Sequence, residues 1–172
     1  MSVLIPQQSG RATTVERPAA GYTSSAQLAA WSLLAWLGLA YFIMSFVDLA
    51  LGWYPMRFGS PEWEFGTISG TVSALAIPTL ALYLMLGSTI ARERTKLAKA
   101  VAIVMIVFAI ALPALGIFYL TNVPIALKST ATNDVAHFGM KKAILKSLML
   151  FAGYEVLYVV GAVQGLRRRA SL

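Results

Sequence analysis

Four stretches of the chain stay apolar for longer than a soluble core element requires: about Ala26 to Tyr54, Phe65 to Ile90, Leu97 to Leu120 and Ala143 to Leu166. Each is close to or above the ~20 residues a helix needs to cross the hydrocarbon of a bilayer. The stretches are continuous and rich in Leu and Ala, which argues against a barrel, whose strands are about ten residues of alternating character. The pattern predicts an all-α integral membrane protein of four antiparallel transmembrane helices. Short links such as ARERTK, between the second and third stretches, require neighbouring spans to run in opposite directions.

Outside these stretches the polar positions divide the chain further. The opening 1–25 is rich in Pro, Gly, Ser and Thr and cannot bury a core alone, so it reads as an extramembrane arm. Its apolar successor begins too late and runs too long for a cleaved secretory signal. Residues 26–166 form the four-helix domain and 167–172 a basic tail. The longest connection, Thr121 to Lys146, is expected to hold a short interfacial helix before span four, capped by Asp134 and running through His137 and Met140.

FGSPEWEFG, Phe58 to Gly66, is the most polar punctuation between spans. Its two carboxylates resemble an acid–base pair, but each residue has a role in starting a helix. Ser60 is a good N-cap, and Pro61 suits the first helical position, where no hydrogen bond is lost. Glu62 and Glu64 then meet the positive helix end. Trp63, with Trp53 and Tyr54, fits the aromatic belt at headgroup level.

Composition supports the membrane reading: 58% of residues are hydrophobic and 12% are charged, against roughly 25% charged in soluble domains. The net charge of +7 needs no nucleic acid, because basic residues at membrane edges meet anionic lipids. Arg11, Arg17, Arg92, Arg94, Lys96, Lys99 and Arg167 to Arg169 would share one side, against Arg57, Lys128, Lys141, Lys142 and Lys146 on the other. The excess of positive charge predicts cytoplasmic termini, in a bacterial inner membrane.

Counting removes much chemistry. There is no Cys, which excludes disulfides, thiolate metal sites and cysteine nucleophiles, and a single His excludes a bis-histidine site within the chain. No phosphate-binding loop, nucleophile elbow or zinc-protease motif is present. His137 is a candidate ligand for a pigment or a partner's metal, with a solvated interfacial histidine the plainer reading.

Two acids fall inside the spans, where a charge is costly enough to require an explanation. Asp48 lies about six residues before the end of span one, or about 9 Å at 1.5 Å per residue. An ion pair with Lys146 is the expected partner, and a substrate or ion contact is the alternative. Glu155 falls near the middle of span four with no cation at its depth. Neutral partners are therefore expected: Tyr154 or Tyr158 on its own helix, or Tyr41, Ser45, Ser73, Thr79 or Tyr83. The alternative is a proton-carrying or quinone-contacting group.

Small residues four apart, Gly66 with Gly70 and Gly161 with Gly165, are expected to let helices pack closely. Pro78 and Pro113 are expected to kink spans two and three. Together these features predict a non-catalytic accessory or assembly subunit of a larger membrane complex, of an energy-converting kind, respiratory or photosynthetic. Its partners would be other integral membrane subunits and anionic lipids. It would have no cofactor of its own, and any quinone or pigment would be held jointly with those subunits. The alternative function is a small oligomeric proton-coupled transporter working through Glu155 and Asp48.

Overall fold

The computed structural model describes residues 25–167, so the expected arm and nearly all of the basic tail lie outside the described residues. Within that range the chain is helical, without strands: α1 (Ser25–Gly52), α2 (Pro61–Ala74), α3 (Ala76–Ala91), α4 (Thr95–Ser129) and α5 (Asp134–Arg167). With α2 and α3 taken as one span, four helical segments of 28, 31, 35 and 34 residues are long and apolar enough to cross a membrane.

Helix boundaries follow from local chemistry. FGSPEWEFG opens α2 at Pro61, and Gly59, at φ 89°, turns the chain into it. The Glu64 carboxylate accepts the Gly59 N–H at 2.8 Å. Trp63 meets Trp53 and Phe58 edge-on, with ring centroids 6.1 and 5.5 Å apart.

The expected kink at Pro78 takes the form of a break at Leu75. Pro78 has no N–H to give the Ala74 carbonyl, and just before it the Leu75 N–H bonds Val72 O at 3.3 Å, a three-residue turn tighter than the helix on either side. Pro113, expected to kink span three, lies with Pro124 inside an uninterrupted α4.

The link between α3 and α4 is tight. Arg94 N–H bonds Thr89 O at 2.9 Å and Glu93 N–H bonds Ile90 O at 3.1 Å, the pair of bonds that closes a Schellman motif. Glu93 holds the left-handed position at φ 54°, where glycine is usual. Arg92 Nη1 reaches Ser32 Oγ at 2.6 Å and fastens this corner to α1.

The stretch expected to be a long connection is mostly helix. Asp134 starts no separate interfacial helix: α5 runs unbroken from it to Arg167. The cap is Asn133, whose Oδ1 accepts the Ala136 N–H at 3.0 Å. Polar residues do not end α4 because their side chains bond back to its own carbonyls. Thr121 Oγ1 and Asn122 Nδ2 both donate to Phe118 O, at 2.7 and 3.1 Å. At 1.5 Å per residue the two helices are each about 50 Å long.

The helices meet at defined heights. Ser32 and Gly38 on α1, and Trp53 just after it, face Arg92, Met85 and Thr71 respectively. On α5, Ser147, Tyr158 and Gly165 meet Ser69, Thr79 and Ala98. Three glycines permit the closest approaches. A Cβ on Gly38 would stand 2.9 Å from Ala81 O, and one on Gly165 would stand 2.7 Å from Ala102 Cβ. One on Gly161 would run into the Met105 side chain. Gly66 and Gly70, expected at the same kind of seam, have nothing within 4 Å of that position.

Phe65 stacks on Tyr119 at 5.0 Å, and Tyr119 meets Phe151 at 5.8 Å, forming an aromatic cluster that joins α2, α4 and α5. From that level α2 reaches back only four residues to its start at Pro61, while α4 runs on for ten to Ser129 at the same end, so the α4–α5 hairpin overshoots α2 by about 9 Å at 1.5 Å per residue. α1 stands at the edge, with only Gly38 and Ser45 buried along its length.

Glu93→Gly is expected to stabilise the chain by about 1 kcal/mol, because glycine carries no Cβ penalty in the left-handed region. Thermal unfolding in detergent checks it, and an unchanged or lower midpoint would contradict the motif.

Candidate functional site

Two grooves hold the two acids singled out in the apolar stretches, Glu155 and Asp48. The first lies between α4 and α5 and has a volume of about 320 Å³. Leu112, Pro113, Gly116 and Ile117 form one wall, with Phe151, Ala152 and Glu155 opposite. Glu155 is its one ionisable group. Its Oε2 is buried and has no hydrogen-bond partner.

The neutral partners expected for Glu155 are engaged elsewhere or stand apart. Thr79 Oγ1 donates to Leu75 O at 2.6 Å, so its lone pairs are left to accept the Tyr158 O–H at 2.7 Å. Tyr83 O–H donates to Leu157 O at 2.6 Å, and Ser45 Oγ to Tyr41 O at 2.7 Å. Tyr154 is buried in the core without a bond to Glu155. Glu155 is therefore not a strut between helices within this chain. It faces an apolar groove.

The second groove, about 300 Å³, opens between the end of α1 and α2. Asp48 lines it with Gly52 at the end of α1, with Trp53 just beyond, and with Gly66, Thr67, Gly70 and Thr71 from α2. Gly66 and Gly70 thus make space here instead of bringing helices together. Trp53 is fixed in place by its Nε1–H, which donates to Thr71 Oγ1 at 2.9 Å.

Asp48 does not pair with Lys146. Among the described residues neither has an ion-pair partner within 4.0 Å, and both are exposed. The reason is the fold: α1 packs against α2 and α3, whereas Lys146 lies on α5, which α1 does not reach.

His137 sits at the α4–α5 turn, its Nδ1 3.4 Å from Thr130 Oγ1, a long contact that helps close the hairpin. Among the described residues no group of three His, Cys, Asp or Glu side chains could hold a metal ion. Ser147 and Ser69 share a hydrogen bond at 2.9 Å. The Tyr119 hydroxyl is directed towards that pair but meets neither at bonding geometry.

Sequence reading missed three features here. Thr67 and Thr71 as groove walls carry no signal of their own among other small polar residues. Gly38 had one, since it lies seven residues before Ser45 on a single stripe of α1. Comparison with family models, curated protein sequences and solved structures found no match.

A buried carboxyl oxygen without a partner lowers stability, and replacing the group with an apolar side chain relieves that cost. Glu155→Leu is therefore expected to hold or raise the unfolding free energy of the isolated chain, by up to about 1 kcal/mol. Chemical denaturation in detergent measures it. A loss of comparable size would mean that the carboxyl has a partner within the chain.

Proposed function

We propose that the chain is a non-catalytic accessory subunit of a larger membrane complex, with energy-converting assemblies, respiratory or photosynthetic, as the class it suits. In this reading four antiparallel spans sit in a bacterial inner membrane, and both termini and the Arg92–Lys96 link are cytoplasmic. The distribution of Lys and Arg supports that orientation.

The observation that carries the reading is the overshooting α4–α5 hairpin. Gly165 and Ala98 set the two helices level at the opposite end. From there a hydrocarbon core of ~30 Å takes up only about 20 residues of each helix. The remaining turns stand in the headgroups or beyond, and they present Ile125, Val135 and Phe138, with Val135 84% and Phe138 60% exposed. Apolar side chains held out of the hydrocarbon suit contact with another protein. α1 supports the same reading. In lipid, apolar contact alone gives little drive to associate, and this helix buries only Gly38 and Ser45 against its own chain, leaving much of its surface for a neighbouring subunit.

A second reading is favoured by the unpartnered Glu155: a small oligomeric carrier in which this carboxyl takes up and releases a proton within the membrane. The two readings differ in the assembly each requires.

The test is purification of the tagged chain from its native membrane in mild detergent. The accessory reading expects stoichiometric copurification with other membrane subunits, reduced about tenfold or more by Val135→Lys with Phe138→Glu. A homo-oligomer that moves protons in liposomes, and stops when Glu155 becomes Gln, would replace it with the carrier.

A further inference from the structure

The cleft between α1 and α2 has the composition of a cation site. We propose that it binds one organic ammonium group, held by the Asp48 carboxylate against the Trp53 indole.

Four observations lead there. Asp48 has no ion-pair partner within 4.0 Å among the described residues, although the chain carries a net charge of +7. A carboxylate set about 6 Å below the end of a spanning helix, at 1.5 Å per residue, is costly without a counter-charge. The space beside it is built in. Gly52, Gly66 and Gly70 all line the cleft, and a Cβ at any of them would meet nothing within 4 Å. The indole is held in position on two sides, by its bond to Thr71 Oγ1 and by Trp63 edge-on at 6.1 Å. An indole so fixed offers a cation its π face at little entropic cost.

Size selects the class of cation. A volume of about 300 Å³ far exceeds a bare metal ion, and the walls supply one carboxylate where hard cations take six or more oxygens. It matches a group of about ten heavy atoms, taking roughly 30 Å³ for each water-sized atom. Thr67 adds a hydroxyl that accepts from an N–H or bonds a neighbouring oxygen. Two sources carry this chemistry, the headgroup of an aminophospholipid and a free organic amine.

The whole chain in detergent is titrated with dihexanoyl phosphatidylethanolamine, with dihexanoyl phosphatidylglycerol and with phenethylammonium chloride, followed by native mass spectrometry and calorimetry. One equivalent of an amine is expected to bind, and phosphatidylglycerol is not. Asp48→Asn and, separately, Gly70→Leu, which fills the cleft without touching the carboxylate, are each expected to weaken binding about tenfold or more, with unchanged thermal unfolding. Preference for phosphatidylethanolamine identifies a headgroup site, and preference for phenethylammonium identifies a free-amine site. The proposal is overturned if neither amine binds, if phosphatidylglycerol binds equally well, or if both folded variants retain full affinity.

Discussion

The arrangement depends on one hydrogen-bonded chain buried beside the break in span two. Tyr158 O–H donates to Thr79 Oγ1, which donates to Leu75 O, so a side chain of α5 is fastened through α3 to the residue at which the helix is interrupted. Tyr158 is wholly buried, and an apolar medium offers no water to replace either bond. Pro78 creates the irregularity by withholding a backbone donor, and Thr79, the next residue, supplies the hydroxyl that connects it to α5. With that height fixed, Ser69 meets Ser147 at one end of the interface, and Gly161 and Gly165 seat against α3 and α4 at the other.

Glycine is used in two opposite ways around this anchor. At Gly161 and Gly165 the missing Cβ lets helices touch, and the contact leaves no room for a ligand. At Gly66 and Gly70 the same four-residue spacing leaves open space, where no side chain comes within 4 Å of either position. The two grooves are consequences of where packing stops. One opens between α4 and α5 around Glu155, and the other opens between α1 and α2 around Asp48. Each places a carboxyl at an open recess between helices, which gives those positions a claim to function that the buried hydroxyl pairs lack.

The four long apolar helical segments and the start of α2 were legible in the sequence, because the length of an apolar run and helix-start chemistry are both local properties. The break near Pro78 was legible for the same reason. Partners were not. Lys146 looked suited to Asp48 by depth alone, but depth does not say which helices are neighbours, and α1 never reaches α5. Glu155 looked suited to tyrosines by proximity in sequence, yet Thr79 engages Tyr158 instead. The α4–α5 hairpin was misread because Thr121, Asn122 and Ser129 look like loop residues until their side chains are seen to bond back within the helix. Spacing alone also could not distinguish a glycine that admits a neighbour from one that admits a ligand.

The most direct test of this account is a double-mutant cycle between Thr79 and Tyr158, with Thr79→Val, Tyr158→Phe and the pair measured by reversible unfolding in detergent or bicelles. If the hydrogen bond fastens α5 to the interrupted span, the two residues should couple by about 0.6 to 1.7 kcal/mol, the range found for such bonds within membranes. Additive losses, with no coupling, would show that packing alone sets the height of α5 and would contradict the account.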